Sequence, residues 1–77
     1  MRWLTKRRAA LADDFLDSYV CWREACEDVR TAYRRWADCQ PHQRDLGFAT
    51  YRAALEREER AATIHSDWVE RLRAVAR

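Results

Sequence analysis

The chain has 77 residues, enough for one small domain and fewer than a single apolar core stabilises comfortably. Apolar residues make up 48% and charged residues 36%, with one Gly, one Pro and nine aromatics, which excludes both a turn-rich sheet protein and a disordered chain. A formal net charge of +2 singles out no class of partner.

Cys21, Cys26 and Cys39 are odd in number, so they cannot form an all-paired disulfide framework; reduced thiols are expected. Met1–Ala12 has no apolar run of signal-peptide length, and no stretch approaches the roughly 20 apolar residues of a membrane span. The expected location is the cytoplasm.

The first eight residues include Arg2, Lys6, Arg7 and Arg8, with Trp3 and Leu4 among them. Positive charge at a helix N-terminus opposes the macrodipole by about 0.3–1 kcal/mol per charge, so this segment is expected to fray. The first helix is expected over about residues 5–39.

Within it, Ala12, Phe15, Tyr19, Trp22, Cys26, Val29, Tyr33 and Trp36 recur at alternating steps of three and four. At about 3.6 residues per turn, such steps keep one stripe facing one partner, as in a coiled coil. A neighbouring row at seven-residue spacing, Leu4, Leu11, Ser18, Ala25, Ala32 and Cys39, is mostly small and suited to close approach. Asp13, Asp17, Glu24, Asp28, Arg34 and Arg35 supply a solvated face, with Glu27 and Arg30 spaced for an ion pair.

Pro41 cannot continue the helix and biases Gln40 away from helical geometry, which places a turn at residues 40–44. So short a connection makes the next helix an antiparallel neighbour. The second helix, expected over about residues 43–76, carries Phe48, Tyr51, Leu55, Glu58, Ala62, His65, Val69, Leu72 and Ala76 at the same alternating steps. Its own seven-residue row is Gly47, Ala54, Ala61, Trp68 and Val75.

Folding the chain at the turn sets Trp36 opposite Phe48, Tyr33 opposite Tyr51, Val29 opposite Leu55 and Cys26 opposite Glu58. Further along, Trp22 meets Ala62, Tyr19 meets His65, Phe15 meets Val69 and Ala12 meets Leu72. The fold class is therefore all-α: residues 1–77 form a single domain, a long antiparallel two-helix hairpin. Its apolar band is wider than a two-helix seam needs, so dimerisation into a four-helix bundle is expected. Phe15, Tyr19, Trp22, Trp36, Phe48, Leu55, Trp68 and Leu72 are the candidate packing and self-association residues.

Three polar features stand out. Cys26, Glu58 and His65 interrupt the apolar stripes; a polar layer that sets helix register is the plainer account, and a pocket with chemistry is the sharper one. Cys39 and His42 form half of a zinc-site pattern whose second half is missing. Folding also gathers Arg2, Lys6, Arg7, Arg8, Arg71, Arg73 and Arg77 at the open end as candidate anion-binding residues.

There is no Gly-rich phosphate loop, nucleophile arrangement or Glu-x-x-His metal motif. The function expected is that of a small protein–protein interaction or scaffold protein without catalysis, working as a homodimer or with an unidentified protein partner and without a cofactor. The alternative is a nucleic-acid accessory protein that contacts phosphates through the basic end. An enzyme or metal protein built on Cys26, Glu58 and His65 ranks last.

Overall fold

A computed structural model describes residues 2–77, except for the side chains of Trp3 and Leu4. Those two side chains, expected in the basic segment and at the head of the small-residue row, lie outside the described residues, as does Met1. Helix α1 spans Arg2–Asp38 and helix α2 spans Arg44–Ala76, joined through a single 3₁₀ turn at Pro41–Gln43. The helices lie antiparallel along their length in a rod of 62 × 15 × 12 Å. No strand occurs among the described residues, so the fold is an all-α hairpin.

The turn follows from Pro41. Gln40, the residue before it, is extended at φ −67° and ψ 153°, as the proline ring requires. The chain then tightens: the Gln43 N–H donates to the Gln40 carbonyl at 2.9 Å. The Cys39 backbone N–H and thiol both donate to the Trp36 carbonyl, at 3.4 and 3.1 Å, and so satisfy one of the open carbonyls at the end of α1.

The basic start is helical from Arg2, against the expected fraying. Antiparallel packing supplies the missing term. It sets the N-terminal turns of α1 beside the C-terminal turns of α2, whose unpaired carbonyls carry the negative end of that helix dipole. Leu11 is half-buried near Val75 and anchors the first turns to the rest of the rod.

The centre of the interface differs from the expected one. The buried residues among those described are Ser18, Ala25, Ala32 and Ala54, all from the small-residue rows. Ala54 is 1% exposed, whereas Tyr33 in the aromatic stripe is 51% exposed. Phe15, Trp22, Trp36, Tyr51, Trp68 and Leu72 are half-buried, and Tyr19, Phe48 and Leu55 are exposed.

The reason is geometric. Two helices touch along one line, and the backbones come closest when the smallest side chains occupy it. Gly47 shows how tight the contact is: a Cβ there would stand 3.2 Å from Trp36 Cδ1 and 3.3 Å from Trp36 Cα. Bulky rings cannot fit between backbones that close, so the aromatics lean over one side of the seam. The longitudinal register is nevertheless the expected one, since Trp36 packs on Phe48 at a ring separation of 5.2 Å and Tyr33 on Tyr51 at 5.6 Å.

Solvent reaches 6415 Å² of the chain. A compact monomer of 9.3 kDa would expose only about 5,000 Å². The hairpin thus leaves roughly 1,400 Å² more surface wet than its mass requires.

If the small row sets the helix separation, Ala54→Leu forces the backbones apart and should cost about 1–3 kcal/mol. Tyr33→Leu, at an exposed ring, should cost well under that in a urea melt. Equal losses at the two positions would place the seam elsewhere.

Candidate functional site

The aromatic stripes of α1 and α2 form two ring clusters separated by a polar layer. Towards the turn, Trp36 stacks on Tyr51 at 5.5 Å with 12° between planes, and Tyr33 meets Tyr51 edge-on. Towards the open end, His65 sits amid Phe15, Tyr19 and Trp22 at ring separations of 5.0, 5.6 and 5.5 Å. The His65 and Trp22 rings are stacked within 12° of parallel.

Glu58 lies between the clusters and is half-buried. Its Oε1 accepts a hydrogen bond from the Trp22 indole at 2.9 Å and a weak one from the Cys26 thiol at 3.9 Å. A carboxylate at the edge of an apolar seam needs such donors, because desolvation without them is costly. The structure therefore brings Cys26 and Glu58 together, as the register requires.

His65 belongs to a separate group. It lies two helical turns from Glu58 and contacts Ser18 instead, with Nδ1 3.0 Å from the hydroxyl oxygen. The Ser18 hydroxyl has one proton and gives it to the Phe15 carbonyl at 2.7 Å. The contact between the Ser18 oxygen and His65 Nδ1 takes its direction from the imidazole tautomer. Ser18 is 6% exposed, and this pairing explains how a hydroxyl is tolerated in the tight seam.

Trp22 ties the two groups together, donating to Glu58 from its edge and covering His65 with its face. The roles of Ser18 in holding His65 and of Trp22 in stacking on it were not foreseen from the sequence. A lone hydroxyl in a row of alanines was the available signal for the first. The arrangement orients side chains and fixes helix register, but it sets no nucleophile beside a base.

The other candidate residues are dispersed. Cys39 spends its thiol proton on the Trp36 carbonyl, and His42 is exposed in the turn. Among the described residues, no three His, Cys, Asp or Glu side chains converge as metal ligands. No helix among them is long and apolar enough to cross a membrane.

At the open end, Arg7, Arg8 and Arg71 line one cleft. Arg71 lies over the Trp68 ring at 4.5 Å, and Arg73 pairs with Glu70 at 3.1 Å. Arg2, Lys6 and Arg77 are exposed and do not line that cleft. On the solvated face, the expected Glu27–Arg30 ion pair is formed.

No protein-family model, curated protein or solved structure matches the chain.

Replacing Trp22 with Phe leaves Glu58 without its 2.9 Å donor and should cost about 1–3 kcal/mol. Glu58→Gln keeps an acceptor in place and should hold stability near the parent value at neutral pH. A double-mutant cycle between the two positions measures the coupling, and a coupling of zero would remove the hydrogen bond from the account.

Proposed function

We propose that the chain is a self-associating interaction or scaffold protein whose aromatic face packs against the same face of a second copy. The resulting assembly is a C₂ four-helix bundle, and its role is to hold partners in place rather than to transform a substrate. The observation that carries this reading is the exposure of Tyr19, Tyr33, Phe48 and Leu55, all in the aromatic stripes of the two helices. Exposed apolar bands of that kind mark contact surfaces.

The amount of surface agrees. The excess of roughly 1,400 Å² per chain, doubled for two copies, falls in the size range of obligate dimer interfaces. The polar layer fits the same role. Glu58, Cys26 and His65, all half-buried, lie along the aromatic face, where polar groups select one alignment of two hairpins over slipped ones.

The basic end supports a nucleic-acid reading less well. Arg71 and Arg73 are already engaged by Trp68 and Glu70. Of the seven basic residues at this end, Arg7, Arg8 and Arg71 line one cleft and Arg2, Lys6, Arg73 and Arg77 do not join them.

The test is the concentration dependence of thermal unfolding. A dimer should melt at higher temperature as protein concentration rises. Tyr33→Glu, on the aromatic face, should abolish that dependence and yield the 9.3 kDa monomer. Ile64→Glu, equally exposed but on the other side of the seam, should not. A flat dependence in the parent protein, or identical behaviour of the two variants, would contradict the reading.

A further inference from the structure

We propose that the groove on the side of the hairpin away from the aromatic stripes seats one amphipathic helix of a protein partner. That helix carries a basic edge, which lies along α1, and an acidic edge, which lies along α2. The proposal names the partner that the scaffold reading leaves open and rests on that reading. Each single hairpin has the groove, so its occupancy is measured apart from self-association.

The groove contains two hollows. One, of about 260 Å³, is lined by Ser18, Cys21, Ala61, Ile64 and Trp68, with Asp14 and Asp17 at its α1 rim. The other, of about 410 Å³, lies near the turn and is lined by Ala32, Cys39, Leu46 and Gly47, with Arg35 and Asp38 on the α1 side. No residue of the aromatic stripes lines either hollow. Ile64 and Leu46 are 54% and 72% exposed, so each hollow offers apolar surface that the hairpin itself leaves wet.

The rims carry opposite charge. Along α1, Glu24 and Asp28 continue the rows of Asp17 and Asp14 at seven-residue steps, and Asp38 follows, with Arg35 as the interruption. Along α2, Arg57, Arg60 and Arg71 flank Ile64, with Asp67 as the interruption. Among the described residues none of these groups pairs with one across the groove, whereas Glu27–Arg30 and Glu70–Arg73 each pair within one helix. Exposed ion pairs contribute about 0–1 kcal/mol, so the rims lose little by facing a partner instead.

A second copy fits this groove poorly. Over each hollow it would bring its own small floor residues, such as Ala32 and Ala61, and the voids would stay unfilled. A single helix seats between two others and can send large apolar side chains into both hollows. Cys21 in one hollow and Cys39 in the other are 18 positions apart, which is about five helical turns. Two anchors separated by that distance fall on one face of the docked helix. The oppositely charged rims then select its direction, because only one direction lays the basic edge on α1.

The experiment measures binding of labelled synthetic helices of about 25 residues by fluorescence anisotropy. The first peptide has Leu anchors about five turns apart, Lys along one edge and Glu along the other. It should saturate at one per hairpin, weaken as salt rises, and slow maleimide labelling of the exposed Cys21. Peptides with Lys on both edges, Glu on both edges, or Ala at both anchors should bind at least about tenfold more weakly. Ile64→Glu, in the lining of the first hollow, should weaken the first peptide by about tenfold, whereas Tyr33→Glu on the aromatic face should leave its affinity unchanged. Joint Glu24→Lys and Asp28→Lys substitution makes both rims basic and should turn the preference to the peptide with Glu on both edges, a gain that misfolding cannot produce. The proposal is overturned by the absence of saturation, by equal binding of the mixed and single-charge peptides, or by an unprotected Cys21. An unchanged preference in the doubly substituted chain overturns it equally. So does a Tyr33→Glu chain that still dimerises and loses the dimer on addition of Ile64→Glu, which would give the groove to a second copy.

Discussion

The structure depends on how closely the two helices approach. Ser18, Ala25, Ala32 and Ala54 occupy the contact line, and near the turn Gly47 lies so close to Trp36 that a side chain there would crowd the opposing backbone. Small residues gain little from burial themselves. What they permit is a short distance between helix axes, which multiplies weak dispersion contacts along more than thirty residues of each helix. The consequence is displacement of the large side chains. Aromatic rings that would fill the centre of an ordinary coiled coil are moved to one side, where they pack on each other and remain partly wet.

That displacement is the feature on which the proposed self-association rests. A hairpin with its rings sealed inside would be a finished object with no reason to meet another. Here the aromatic residues pack across the seam and stay partly exposed, so under the proposed self-association the same residues would hold the hairpin and meet a second copy. The polar layer follows the same logic. Glu58 is close enough to the seam to need the Trp22 indole, and His65 close enough to need the Ser18 hydroxyl, yet both stay near solvent. Groups placed this way discriminate between alignments at modest cost in stability.

Much of the fold was legible in the sequence, and the part that was not has a physical cause. Pro41 marked the turn, and the alternating spacing marked both helices. Folding at the turn brought Trp36 to Phe48, Tyr33 to Tyr51, Cys26 to Glu58 and Tyr19 to His65. Rotation about the helix axes was not legible, because apolar periodicity points to the largest hydrophobic side chains while axis separation is governed by the smallest. The helical start at Arg2 was hidden for a related reason. A dipole argument applied to one helix omits the opposite dipole end that antiparallel folding sets beside it. At the candidate site, the Cys26–Glu58 contact follows from register alone. The Ser18–His65 bond depends on which way α1 faces and so could not be read before the rotation was known.

The measurement that bears most directly on this account is small-angle X-ray scattering over a dilution series. If the aromatic face receives a second hairpin side by side, concentrated samples should show twice the 9.3 kDa mass with a maximum dimension still close to the 62 Å rod. On dilution the radius of gyration should fall towards the single-hairpin value of 17.6 Å. A 9.3 kDa particle at every concentration would contradict the account, as would a doubled mass that comes with a nearly doubled length. The first would mean that the aromatic face receives no second copy. The second would mean that the copies meet end to end and leave that face uncovered.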